Sequence, residues 1–235
     1  MNTAKAFPAE VAARREHLPE LKSPADEADK PIRHNDAGRL LGGYCSQWAL
    51  QRNDKVRNAL LDQMFCQWKA AQRRELKYLR KAMVEFAGAR AWLETDMSNP
   101  AQAIRTIWAQ EEVKNQFMSD LEQFERGSLP EFSPAQLTAL NNQLDQAWRT
   151  LMHHMSAGSD GAGACGTVGR EDIQETQRIW LRYCGAWVTF GYARYPEVAA
   201  HSWLALLSGR RIRQLNELLI NLPKPGVVLP RALER

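Results

Sequence analysis

Long stretches of this chain contain no helix-breaking residue, and this feature constrains its fold more than any other. Between Asp54 and Asp96 there is a single glycine, Gly88, and no proline. Apolar side chains recur there at steps of three and four residues, the spacing that places them on one face of an α-helix. The segment therefore predicts amphipathic helix, with a bend near residues 69–74.

The same spacing continues between the clusters of proline and glycine in the rest of the chain. Further helices are predicted over residues 37–51, 100–127, 134–155, 170–195 and 198–219. Ser133 precedes Pro134 in the manner of an N-cap followed by a first helical residue. No run alternates Val, Ile and Thr as a strand would. The predicted fold class is all-α.

Two of these helical segments resemble each other. Five of ten residues are identical when 81–90 is aligned with 185–194, and both segments are followed by a proline and then by a tryptophan. We interpret this as a duplication. It predicts two related three-helix units, 37–129 and 130–223, packed into one helical body. Polar tails are predicted at 1–36 and 224–235.

Charge and hydropathy exclude two classes of partner. The net charge is +4, and basic residues are interleaved with acidic ones, so no phosphate-binding track is predicted. No stretch approaches the roughly 20 apolar residues of a membrane span. The first 24 residues also lack the apolar centre of a signal peptide. We therefore expect either a cytoplasmic protein or a periplasmic or envelope protein whose leader has been removed.

Catalysis, cofactors and metal sites are not predicted. His153 and His154 are adjacent, and neighbours on a helix point about 100° apart, so the two cannot share one metal. The glycine-rich segment 156–169 follows no strand and lacks the lysine of a phosphate-binding loop, so it predicts a connector. Several arginines near the last helix predict either an interaction rim or a solvated face: Arg178, Arg182, Arg210, Arg211 and Arg213.

Four cysteines permit either buried free thiols or two disulfides. Cys165 lies in the glycine-rich segment, where a free thiol would be exposed. A bridge from Cys165 to Cys184 would anchor that segment if the compartment is oxidising. Both alternatives stay open.

The helix over 170–195 contains Gln177 followed by Arg178, then Trp180, Tyr183 and Trp187. Residues 137–219, which include this run, resemble the LprI-like lysozyme-inhibitor family. Members of that family typically show Gln-Arg, any residue, Trp, two more, then Tyr-Arg-Asp-Ala, and this chain matches the pattern at Gln177, Trp180 and Tyr183. Cys184 and Gly185 replace the usual Arg-Asp pair, and the family cysteine a few residues later is absent. Residues 140–148 in the preceding helix and residues 211–215 in the last helix resemble the family as well. Through the internal repeat, the first unit is a degenerate copy of this family-like second unit.

This resemblance implies a non-catalytic protein that inhibits a lysozyme-like muramidase or another peptidoglycan-degrading effector, as an immunity protein does. The four motif residues are expected to be structural. The segment 156–169 is the candidate for insertion into the enzyme's glycan cleft, with a partner-binding set at its margins: His153, His154, Asp160 and Arg170. The alternative is a cytoplasmic helical adaptor or scaffold without any connection to cell-wall enzymes.

Overall fold

The computed structural model describes residues 36–96, 102–157 and 168–221. These residues form helices and contain no strand, which confirms the prediction of an all-α fold. We name the helices in chain order as α1 (Asp36–Phe65), α2 (Ala70–Leu93), α3 (Gln102–Glu125), α4 (Pro134–Ala157), α5 (Arg170–Arg194) and α6 (Ala200–Asn221).

The chain divides into two compact units. The smaller comprises residues 1–67 and 118–128, and the larger comprises 68–117 and 129–235. These units do not coincide with the predicted repeats 37–129 and 130–223, whose origin by duplication stays a prediction. The predicted tails, 1–36 and 224–235, lie outside the described residues apart from Asp36.

The first helix differs from the prediction. We expected a helix to end at Gln51, but α1 continues without interruption to Phe65. No glycine or proline lies between Tyr44 and Phe65, and Asp54 accepts a hydrogen bond from Arg57 one turn later at 2.7 Å. The predicted bend lies at residues 66–69, slightly before the expected position.

Two predicted helix ends are confirmed. The hydroxyl oxygen of Ser133 accepts the Gln136 backbone N–H at 3.2 Å, and the Gln136 side chain accepts the Ser133 N–H at 2.7 Å. This reciprocal pair is a capping box, which begins α4. At the end of α3, Gly127 adopts φ 88°, a left-handed conformation that favours glycine and stops the helix.

In the larger unit, α2 packs along α5 and α4 packs along α6, while α6 also contacts α5. Trp187 on α5 lies at the centre of the aromatic core and is 1% exposed. Its indole stacks on Trp203 with centroids 5.8 Å apart, and Phe117 and Phe190 approach it at 5.7 and 5.9 Å. This cluster joins α3, α5 and α6 at one point.

Gly191 allows a close approach of backbone to side chain in that core. A Cβ atom at this position would collide with the indole of Trp203, whose Nε1 is the nearest atom. The backbone of α5 therefore lies directly against the Trp203 ring, which only a residue without a side chain permits. By contrast, a Cβ at Gly185 on the same helix would meet nothing within 4 Å.

A second apolar cluster lies where α4, α5 and α6 approach one another. Its centre is formed by Leu151, Ile173 and Leu215, which are 0%, 0% and 1% exposed. Val168, just before α5, is buried in the same cluster together with Met155 near the end of α4. The end of α4 and the residue that precedes α5 are thus packed in the same apolar cluster.

Candidate binding site

Arg211 on α6 is fully buried, so its predicted place among surface arginines is wrong. Its Nη1 and Nη2 donate to the two carboxylate oxygens of Glu94 at 3.0 and 2.5 Å, and its Nε donates to Gln177 Oε1 at 2.9 Å. The guanidinium also lies 5.8 Å from the ring centroid of Phe86. These contacts satisfy a charge that would otherwise be costly to bury.

A second arginine extends this ion pair toward the surface. Arg90, which is 8% exposed, donates from Nη1 to Glu112 Oε2 at 2.6 Å, and its Nε lies 3.6 Å from Glu94 Oε2. The charges therefore alternate along Arg211, Glu94, Arg90 and Glu112. The side chain of Glu112 is 54% exposed, so this chain of charges ends at solvent.

Glu112 also lines a cavity of about 150 Å³. Helices α2, α3, α5 and α6 all contribute to its walls. The apolar part consists of three rings and two aliphatic side chains: Phe86, Val113, Trp180, Tyr183 and Leu207. Because these side chains are 3–5% exposed, the walls are fixed by the core behind them rather than by solvent-facing rotamers.

The remaining lining residues of the cavity are polar: Glu112, Gln116, Arg210, Arg213, Gln214 and Glu217. Among them, Glu112 is already paired with Arg90. The Oε1 atom of Gln214 is buried and has no hydrogen-bond partner. An unpaired buried polar atom costs about 1–3 kcal/mol, so this position lowers the stability of the larger unit.

The partner-binding residues predicted from sequence lie elsewhere in the larger unit. His153 is exposed near the end of α4, His154 is half-buried beside it, and Arg170 is exposed at the start of α5. Asp160 lies outside the described residues. The structure brings two margins of the predicted loop together, because Arg170 Nη1 donates to Ser156 Oγ at 3.2 Å.

Cys184 carries a free thiol that is 4% exposed. Burial raises the pKa of this thiol well above its usual range, and the nearby positive charge of Arg211 lowers it only in part. Cys165 lies outside the described residues, and because Cys184 is free the structure does not support the predicted bridge between them. Cys66, which follows α1, is free and exposed.

The four motif residues have distinct positions. Trp180 and Tyr183 form walls of the cavity, Trp187 centres the aromatic core, and Gln177 accepts the hydrogen bond from Arg211. Tyr183 also stacks on Phe86 with centroids 5.5 Å apart. Sequence reasoning identified these positions from their resemblance to a family pattern.

Other residues of the site were missed. Glu94 and Glu112 lie in stretches of sequence that resemble an acidic surface. Nothing in the neighbouring sequence indicates that Glu94 pairs with Arg211, 117 residues later, or that Glu112 pairs with Arg90, 22 residues earlier. Gln214 is equally unmarked. The only sequence signal was the position of Arg211 within the apolar period of the last helix, between Leu207 and Leu215.

Within the described ranges, no group of three or more His, Cys, Asp or Glu side chains is arranged to hold a metal ion. None of the described helices is both long and apolar enough to cross a bilayer. No protein-family model matches the sequence, and no curated protein or solved structure matches it significantly.

Proposed function

We propose that this chain is a non-catalytic binding protein that inhibits a lysozyme-like peptidoglycan-cleaving enzyme in the cell envelope, as an immunity protein does against a cell-wall-degrading toxin. The resemblance of residues 137–219 to LprI-like inhibitors supports this proposal. The muramidase or related effector is its protein partner. Inhibition then requires no chemistry of its own, only occlusion of the enzyme's cleft.

The observation that carries the proposal is that the residues flanking 158–167 on both sides are held in place. Val168 and Met155 are buried in one apolar cluster, and Arg170 donates to Ser156 across the two ends. Gly169 is held as well, because its N–H donates to Asp172 Oδ2 at 2.9 Å. A segment whose ends are already fixed loses less conformational entropy when it binds, which favours tight association.

Charge at these margins suits the target. Glycoside-cleaving clefts work with a pair of carboxylates. Arg170 and His153 are exposed at the base of the segment and can present hydrogen-bond donors to such a pair. Occupation of both carboxylates blocks the proton transfer and the stabilisation of charge on which glycan cleavage depends.

The first experiment measures peptidoglycan turnover by a panel of muramidases, with and without an equimolar amount of the protein. Stoichiometric loss of activity for at least one enzyme is expected. If a folded, helical protein leaves every enzyme of a broad panel uninhibited, the inhibitor proposal fails and the helical scaffold becomes the better description.

The second experiment removes residues 158–166. We expect inhibition to fall at least tenfold while the helical circular dichroism is retained, because the contacts of Met155, Val168 and Arg170 all lie outside the deleted residues. Arg170→Ala is expected to weaken inhibition, whereas Arg149→Ala, an exposed arginine on α4, serves as the matched control. Undiminished inhibition by the folded deletion variant would exclude insertion of this segment.

A further inference from the structure

One side of α2 is open to solvent along most of the helix. Residues that follow one another at steps of three or four lie on the same side of a helix. From the first to the last turn of α2 this spacing selects a series that is exposed except at the half-buried glycine: Arg73, Lys77, Lys81, Val84, Gly88 and Trp92. We call this series the α2 face. It is about 28 Å long, since each helical residue adds about 1.5 Å.

The two halves of the α2 face differ in chemistry. The half near the start of the helix carries three cations, and Arg74 lies beside them with a side chain that is 65% exposed. The other half is apolar, because Val84 is 51% exposed and Trp92 is 66% exposed. The whole face lies within the larger unit. It therefore offers positive charge at one end and a large exposed ring at the other.

Acidic residues do not neutralise this face. Glu75 and Glu85 lie among the basic residues in the sequence, but the helix turns Glu75 to a different side, where its side chain is only 18% exposed. Glu85 lies at the edge of the face and approaches Lys81 no closer than 3.9 Å. Neither Arg73 nor Lys77 forms an ion pair with a residue that the structure describes. The cations are thus concentrated in space although acids interrupt them in the sequence.

The spacing of these cations does not serve the stability of the helix. Like charges four residues apart on a helix repel each other and destabilise it. Arg73 and Lys77 have this spacing, and so do Lys77 and Lys81. The exposed ring of Trp92 contributes little to the core of the larger unit. The α2 face therefore fits an interaction at the surface better than a role in folding.

A partner that complements both halves must present negative charge beside an apolar layer. A bilayer with anionic lipids does so, because its headgroups attract Lys and Arg, while Trp is favoured at the boundary between headgroups and acyl chains. Nucleic acid would match the cations but would leave the aliphatic side chain of Val84 in water. The combination of charges and apolar side chains thus favours the lipid surface.

We propose that the α2 face docks on an anionic phospholipid surface. Arg73, Lys77 and Lys81 lie at the lipid phosphates, and Val84 and Trp92 enter the boundary between headgroups and acyl chains. A helix docked in this way lies parallel to the bilayer and needs no spanning segment. The inference is independent of the inhibition proposed above, because its test involves no muramidase.

Cosedimentation of the full chain with vesicles tests this docking. One set of vesicles is phosphatidylcholine alone, and the other contains equal amounts of phosphatidylcholine and phosphatidylglycerol. The protein is expected to sediment only with the mixed vesicles, and binding should fall as salt is raised, because salt screens exposed charges. Equal binding to both sets, or binding to neither, overturns the proposal.

Charge reversal locates the surface. Lys77→Glu with Lys81→Glu is expected to weaken binding at least about twentyfold, because each cation near an anionic surface contributes about a factor of five. The control is Arg149→Glu with Arg178→Glu, which changes the net charge equally at exposed side chains of α4 and α5. Circular dichroism should be unchanged in both proteins, since all four side chains are exposed. Equal losses in the two proteins would show a response to net charge alone and overturn the assignment to α2.

Trp92 distinguishes a bilayer from a soluble polyanion. Lipids brominated in the acyl chain are expected to quench tryptophan fluorescence of the bound protein, and this quenching should disappear in Trp92→Phe, which keeps an apolar ring and still binds. Trp148→Phe, at a half-buried position of α4, should retain it. Quenching that persists in Trp92→Phe contradicts docking through the α2 face. Binding to inorganic polyphosphate or duplex DNA without binding to the mixed vesicles would identify a soluble polyanion instead and overturn the membrane assignment.

Discussion

The buried pair of Arg211 and Glu94 gives a quantitative prediction about stability. The Arg211 side chain is 0% exposed and that of Glu94 is 4% exposed, and two hydrogen bonds join them at 2.5 and 3.0 Å. The substitution Glu94→Gln keeps the shape of the side chain but leaves the guanidinium without its counter-charge. Removal of one partner from a buried pair costs about 3–5 kcal/mol. Gln177 still accepts from Arg211 Nε, so we expect the lower end, about 3 kcal/mol.

The reverse substitution and the double variant complete a thermodynamic cycle. Arg211→Met leaves the Glu94 carboxylate buried with only Arg90, whose Nε is 3.6 Å away, and is expected to cost about 4 kcal/mol. The double variant Glu94→Gln, Arg211→Met contains no unpaired charge at this pair. Its loss should be at least about 2 kcal/mol smaller than the sum of the two single losses.

Urea unfolding followed by circular dichroism measures these free energies of unfolding. The control is the exposed pair of Asp145 and Arg149 on α4, whose side chains are 69% and 80% exposed and 3.9 Å apart. Asp145→Asn should cost less than about 0.5 kcal/mol. If Glu94→Gln costs no more than Asp145→Asn, or if the single losses simply add, the buried pair does not hold the larger unit as described.

Three further predictions follow from the packing. Gly191→Ala should lower the free energy of unfolding by about 1–3 kcal/mol, because its Cβ would collide with the Trp203 indole. Gly185→Ala, with no atom within 4 Å of its Cβ, should instead raise it by about 0.5–1 kcal/mol, and equal effects in urea melts would refute the close approach. In a Cys45→Ser, Cys165→Ser background, a thiol reagent at neutral pH should modify exposed Cys66 quickly. It should modify Cys184 only on unfolding, since burial raises the pKa of that thiol and keeps it protonated; equal native-state rates would refute this.

Periodicity predicted the helices because their formation depends on local spacing and caps. The capping box at Ser133 and the helix end at Gly127 each depend on no more than four consecutive residues. The end of α1 was predicted wrongly because the same reliance on local sequence misread one polar stretch. A polar stretch around Asp54 resembles a turn, and only the Asp54–Arg57 bond and the uninterrupted backbone show that it stays helical.

The cavity could not be predicted in the same way, because its walls come from four helices separated along the chain. Trp180 and Tyr183 were identified through a motif, but Phe86, on which Tyr183 stacks, lies about one hundred residues earlier. The charges were harder still to assign. From the sequence, Arg211 resembles the several surface arginines near it. Only the structure shows its hydrogen bonds to Glu94 and Gln177.

The location of the buried charges relates stability to binding. Apolar residues of similar volume would hold three helices together at least as well as an ion pair does. The alternation of Arg211, Glu94, Arg90 and Glu112 therefore has another consequence. It ends at a carboxylate in the cavity wall, and the Arg211 guanidinium covers Phe86, which forms the same wall. A charged, directional network fixes the positions of these two groups, whereas apolar packing would let them shift.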